Sequence, residues 1–319
     1  MIGVLGAGAF GTALAAVQAA AGRDTLLWGR DAAAMDEIAA CRENRARLPG
    51  VPLPESLGVT ADLAHLAGAE ILLLVVPAQA TGAFLAAHGG DLPDVPLVLC
   101  AKGIDAATLR LQTEIAAAAS PGHALAALTG PGFAGEIARG LPTALTLACG
   151  DSTRGRALQA ALAAPRLRLY LTDDVTGAEL GGALKNVVAI ACGMAEGAGL
   201  GHSARAALMT RGFAEMSRLA VALGGRPETL AGLSGLGDLS LTCNSSQSRN
   251  FTLGRALGAG AARPGGTVEG VATARAACRL AEGRGVELPI AAAVAGVLEG
   301  GLTIAGAMEA LLSRPLREE

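Results

Sequence analysis

Lysine is nearly absent from this chain of 319 residues: of its 25 basic residues only Lys102 and Lys185 are lysines, and the other 23 are arginines. A lysine offers a compact ammonium whose proton affinity can be tuned, which suits proton transfer, whereas arginine stays charged. Each lysine is therefore either an incidental surface residue or a group kept for a site. An excess of positive charge is also lacking. The net charge is −3 and the pI about 5.9, which excludes extended nucleic acid or an anionic membrane surface as a natural partner but leaves small anions, for which one or two cations suffice. Long apolar runs are missing as well. The longest aliphatic run, Ile71 to Val76, stops at Pro77, far short of the ~20 residues that span a bilayer. No membrane insertion is expected. The six cysteines are scattered, with no CxxC pair and no histidine at ligand spacing, so they read as buried reduced thiols of a cytoplasmic protein, with no metal site. The start, Met1-Ile2-Gly3-Val4-Leu5, is already strand-like and leaves no room for an export signal.

What is present is apolar surface, with 51% hydrophobic against 17% charged residues. That balance excludes a disordered chain. Residues 1–172 alternate short aliphatic runs with alanine-rich helical stretches, the pattern of an α/β domain whose mostly parallel sheet is covered by helices. Strands are expected near 2–5, 25–29, 71–76, 96–101, 125–129, 143–149 and 167–171. From 173 to 319 the β-branched runs vanish, and helices are expected near 174–197, 202–223, 252–258, 270–284, 290–299 and 303–313, giving an all-α C-terminal domain.

Gly6-Ala7-Gly8-Ala9-Phe10-Gly11 follows the first strand and opens a helix. In that context the glycines permit a tight turn, close approach of a pyrophosphate and close helix–strand contact, while helix N-terminal amides hold the anion. At the end of the second strand stands Arg30, where an NAD site commonly places a carboxylate; its guanidinium suits a 2′-phosphate and favours NADPH over NADH. Asp31 reads as the N-cap of the next helix or as a group that admits NADH too. Pro77, Lys102-Gly103 and Gly130-Pro131-Gly132-Phe133-Ala134 all fall at carboxyl ends of expected strands, the ligand-binding edge of such sheets. Lys185 lies in an expected helix beyond Gly181 and Gly182. Its side chain leans toward those glycines, whose bareness either makes room for a ligand or serves close helix packing, with Lys185 then reaching solvent. Ser248-Arg249-Asn250 precedes a helix expected from Phe251 and is either a phosphate cradle or an exposed loop with an ordinary cap.

Taken in order, GAGAFGTALA, AKGI, GPGFAGE, GALKNVVAIACG, GLGDLSLTC, SQSRNF and TVEG resemble the bacterial NAD(P)-dependent glycerol-3-phosphate dehydrogenase family across nearly the whole chain. The resemblance implies an α/β N-terminal Rossmann-type domain followed by an all-α C-terminal domain, and reversible reduction of dihydroxyacetone phosphate to sn-glycerol 3-phosphate, the head of glycerophospholipid synthesis. It implies Lys185 as general acid and base, with Lys102, Gly130, Asp238, Ser248, Arg249 and Asn250 on the substrate. Gly6, Gly8, Phe10, Gly11, Arg30, Lys102, Ala134, Arg249 and Glu269 would line the dinucleotide site. Glu136 and Asn186 would support them. One departure is Gly132, where the family often carries a hydroxyl residue. The partner expected is a small phosphorylated molecule; a homodimer is compatible with the chain. Two rivals stand beside this reading. A different two-domain hydroxyacid dehydrogenase would not need the Ser248–Asn250 cluster, and a non-catalytic dinucleotide sensor would not need Lys185 and Asp238.

Overall fold

The computed structural model describes residues 1–315. Two compact units are formed, one from Met1–Lys102 with Gln112–Val175, the other from Gly103–Leu111 with the chain from Thr176 onward. Gly103–Leu111 groups with the helices although it lies in the middle of the α/β half of the sequence.

The first unit is built on eight strands, β1 (Ile2–Leu5), β2 (Thr25–Trp28), β3 (Leu57–Thr60), β4 (Ile71–Leu74), β5 (Leu97–Leu99), β6 (Leu125–Thr129), β7 (Thr143–Ala148) and β8 (Leu167–Thr172). They form one sheet in the order β3-β2-β1-β4-β5-β6-β7-β8. Every pairing is parallel except the antiparallel β6–β7 pair. Helices α1 (Ala9–Ala20), α2 (Ala32–Cys41), α3 (Thr81–His88), α4 (Gln112–Ala119), α5 (Ala134–Ala138) and α6 (Ser152–Leu162) complete it. β1 and β4 are buried along their whole length, as strands covered on both faces must be. Alternate residues serve opposite cores: Val4 and Leu73 pack with Leu14 of α1, while Leu5, Leu72 and Leu74 pack with Leu85 of α3. Because β1 lies between β2 and β4, the chain reverses direction across the sheet there, which is where this class of fold binds ligands. β3 escaped the sequence reading. It is a four-residue strand containing Gly58, whose missing side chain lets Leu26 of β2 approach, and its pairing with β2 rather than local propensity makes it a strand.

The second unit contains α7 (Val175–Gly197), α8 (Gly201–Ala222), α9 (Pro227–Ala231), a π-helical turn (Leu233–Gly237), α10 (Asp238–Cys243), α11 (Arg249–Gly258), α12 (Glu269–Glu282), α13 (Pro289–Leu298) and α14 (Ile304–Leu312). The segment 227–243 carries helix that the sequence pattern did not announce. α7 is long and apolar enough to cross a membrane, but its residues are buried inside this unit, as befits a core helix. Ile104 and Leu111 join the same core. Glycines bring α7 and α11 together: a Cβ on Gly193 would stand 2.1 Å from the Phe251 carbonyl oxygen, and one on Gly254 would stand 2.1 Å from that of Ile190. Backbones this close admit no side chain between them, so these glycines repay their helix-propensity cost in packing. Cysteines Cys100, Cys149, Cys192 and Cys243 are buried, but Cys41 is exposed and Cys278 half-buried, which corrects the expectation of six buried thiols.

Glu215 of α8 is buried, and its carboxylate accepts from the backbone N–H groups of Ile290 at 2.7 Å and Ala291 at 3.2 Å, capping α13 from outside. Burial pushes its pKa up to about 7 against the pull of those two donors and of Arg218 and Arg314. Between pH 4.5 and 7 the folded chain then holds a proton that the unfolded chain has released, so stability from this group falls as pH rises through that window. Thermal or urea unfolding of wild type and Glu215→Gln should show wild type losing ~3 kcal/mol relative to the variant over the window, and a constant gap would remove Glu215 as the source.

Candidate active site

At the carboxyl end of β1 the geometry of each glycine in the loop can be assigned. Gly6 has φ +125°, and a Cβ there would meet the Val75 carbonyl oxygen at 2.6 Å. A Cβ on Gly11 would lie 2.0 Å from the Gly6 oxygen, the close contact that seats α1 on the sheet. A Cβ on Gly8 would meet nothing within 4 Å. Gly8 is also the N-cap of α1 and no side chain caps that end, so its bareness faces open space in front of a helix N-terminus. That is the cradle a pyrophosphate requires. The residues present therefore fit a dinucleotide.

Around this loop Lys102, just beyond β5, donates from Nζ to the Gly130 carbonyl at 2.8 Å and stands 5.8 Å from the centre of the Phe10 ring, a cation–π distance. Gly130 has φ +118°, and a Cβ there would press on the Thr146 nitrogen at 3.2 Å and the Leu145 Cα at 3.3 Å. Its conformation aims the carbonyl at Lys102. Arg30 is exposed at the end of β2. Asp31 takes the capping role, its carboxylate accepting from the Ala34 N–H at 3.1 Å. Ala134 begins α5. At Gly132 a Cβ would meet Ile137 Cδ1 at 2.9 Å and Thr143 Cγ2 at 3.3 Å, so neighbouring side chains occupy the room a hydroxyl residue would need. Burial pushes the Cys100 thiol, two residues before Lys102, up to about 12 despite that lysine, which leaves it without thiolate character.

The helical unit carries the other lysine. Lys185 on α7 is 7% exposed, and its Nζ donates to Asp238 Oδ1 at 2.9 Å and Thr242 Oγ1 at 2.8 Å. Thr242 in turn donates to Asp238 Oδ1 at 3.2 Å, within α10. Neither of the two expected settings for Lys185 is met in full. The side chain is buried and does not reach solvent, while the place of a Gly181 Cβ is taken by the Ser234 oxygen at 2.8 Å and by Gly235, so that glycine serves helix packing. Thr242 had no assigned role in the sequence, where the only signal is its position four residues after Asp238 on one helix face. Next to it Cys243 is pushed well above the ordinary thiol range, first by its hydrogen bond with Cys192 and then by burial.

Ser248 is the N-cap of α11, accepting from the Phe251 N–H at 3.2 Å, and the helix starts at Arg249. Arg249 itself is exposed. Asn250 donates to Asn186 Oδ1 at 2.8 Å and accepts from the Gly270 N–H at 2.9 Å. It thus ties the start of α12, where Glu269 stands, to the helix that carries Lys185.

A mostly parallel sheet with a glycine cradle at its switch point, followed by a helical unit with a buried lysine held by a carboxylate, defines the class of nicotinamide-dependent dehydrogenases. Models of the NAD-dependent glycerol-3-phosphate dehydrogenase N-terminus and C-terminus match residues 1–154 and 174–309. The chain is 59% identical, over 100% of its length and 99% of the relative's, to a glycerol-3-phosphate dehydrogenase [NAD(P)+] of Paracoccus denitrificans. It is 57% identical, over 100% of both chains, to that of Cereibacter sphaeroides. The crystal structure of glycerol-3-phosphate dehydrogenase from Coxiella burnetii superposes with a TM-score of 0.93 at 38% identity, covering 98% of each chain. The chain belongs to the NAD-dependent glycerol-3-phosphate dehydrogenase family and is an NAD(P)-dependent enzyme.

Proposed function

We propose that this enzyme, in the cytoplasm, reversibly reduces dihydroxyacetone phosphate to sn-glycerol 3-phosphate, with NADPH favoured, and so supplies glycerophospholipid synthesis. The observation that carries this reading is the buried Lys185 ammonium held by Asp238 and Thr242. The dinucleotide, when bound, supplies the hydride. As hydride reaches the carbonyl carbon, negative charge develops on oxygen; the Lys185 ammonium stabilises that charge and donates a proton from Nζ, and in oxidation the neutral amine takes it back. Asp238 favours the charged amine and, with Thr242, holds Nζ in one place. Ser248, Arg249 and Asn250 at the N-terminus of α11 would hold the substrate phosphate, joined by Lys102 and Gly130, so that a group remote from the reacting carbon keeps the ketone in register. Gly6, Gly8, Phe10, Gly11, Arg30, Lys102, Ala134, Arg249 and Glu269 would hold the dinucleotide, and Lys185 would serve as general acid and base.

The test is NADPH and NADH oxidation with and without dihydroxyacetone phosphate. Oxidation should depend on the ketone, and an enzyme that binds the dinucleotide but turns over no ketone phosphate would be a sensor instead. Arg30 adds a prediction. Its exposed guanidinium should read the 2′-phosphate, so Arg30→Ala should raise KM for NADPH by ~10-fold or more while leaving that for NADH little changed. Equal losses with both cofactors would assign Arg30 another task.

A further inference from the structure

Asn44 belongs to none of the motifs that carry the chemistry, yet it reaches the centre of one. It lies in the stretch between α2 and β3, is 2% exposed, and spends both hydrogens of its amide on the dinucleotide loop and the helix behind it. Nδ2 donates to the Ala7 carbonyl oxygen at 3.0 Å and to Thr12 Oγ1 at 2.8 Å. The residue is itself fixed from the other side: its Oδ1 accepts from the Arg47 N–H at 3.2 Å and its backbone oxygen from the Leu48 N–H at 2.7 Å. Leu48 and Val51 anchor this stretch in a small core with Ala13 and Ile137.

The consequence follows from the planarity of the peptide bond. Ala7 O and Gly8 N–H belong to one peptide unit and point to opposite sides of the chain. Gly8 has no Cβ of its own to hinder rotation of that unit, and the space around it is open, since a Cβ there would meet nothing within 4 Å. Holding the Ala7 oxygen therefore holds the Gly8 N–H. We propose that Asn44 is a positioning residue for the dinucleotide, locking the Ala7–Gly8 peptide so that its N–H stays presented to the pyrophosphate and its carbonyl oxygen stays turned away from that anion. The role rests on the dinucleotide-binding reading of the loop. Preorganised donors cost no rearrangement when the anion arrives, and a carbonyl free to turn toward a pyrophosphate would repel it.

The experiment compares Asn44→Ala, Asn44→Asp and Thr12→Val in the full-length enzyme, with NADPH binding followed by its fluorescence and steady-state KM and kcat measured for both substrates. Asn44→Ala should raise Kd and KM for NADPH at least ~10-fold, with kcat at saturating NADPH and KM for dihydroxyacetone phosphate nearly unchanged. Asn44→Asp keeps the shape, cannot donate when ionised, and should weaken NADPH more than alanine does. Thr12→Val removes only the tie to α1, leaves the Ala7 contact, and should lower the melting temperature with little effect on KM for NADPH. Equal rises in that KM for Thr12→Val and Asn44→Ala would make the residue a general brace and overturn the proposal. So would an unchanged KM in Asn44→Ala, or failure of both Asn44 variants to fold. Wild type that binds neither NADPH nor NADH would instead sink the functional reading on which this one rests.

Discussion

Lys185→Met should lose ~10²-fold or more in kcat, the scale of a general acid, while NADPH binding persists. Methionine retains the apolar stem but removes the ammonium that donates to Asp238 at 2.9 Å and Thr242 at 2.8 Å. A second effect accompanies the first, because Asp238 is 1% exposed and loses its ammonium partner. Breaking a buried ion pair on one side commonly costs ~3–5 kcal/mol, so the variant is also less stable and its activity must be read against its folded fraction. The double variant Lys185→Met, Asp238→Asn removes the stranded charge and should recover most of the melting temperature without recovering turnover. Near-normal kcat in folded Lys185→Met would end the proton-transfer role; recovery of kcat in the double variant would show that the single variant failed for reasons of stability alone.

Arg249→Ala should weaken dihydroxyacetone phosphate by ~1.5–3 kcal/mol, the worth of a charge-assisted hydrogen bond. Arg249 opens α11 directly after the Ser248 cap, so in the proposed site its guanidinium and the helix N-terminal N–H groups would serve the same anion. Arg249→Lys should recover only part of the loss, since an ammonium cannot copy a two-pronged contact. Unphosphorylated dihydroxyacetone is the control: it should be poor for wild type, and the extra deficit of Arg249→Ala should shrink with it. If both ketones suffer by the same factor, the residue serves the cofactor or the fold, and Lys102 becomes the next candidate for the phosphate.

The amino-acid sequence by itself determined whatever depends on neighbours along the chain. The strand–glycine loop–helix unit at Gly6–Gly11, the apolar runs of the parallel strands and the helical pattern beyond Asp173 are local regularities, and each follows from backbone sterics and the periodicities of strand and helix. The scarcity of lysine marks Lys102 and Lys185 in the sequence without reference to any contact. Tertiary structure decided what depends on residues far apart in the chain. Lys185 and Asp238 are 53 residues apart yet share a hydrogen bond, Asn44 reaches across 37 residues to Ala7, and Gly103–Leu111 leaves the α/β half to join the helical core. β3 is a strand because β2 offers it a free edge, and Gly193 and Gly254 are tolerated in helices because two backbones meet there. Such pairings leave no period in the sequence, since the free energy that selects them comes from burial and packing that exist only once the distant segments have met.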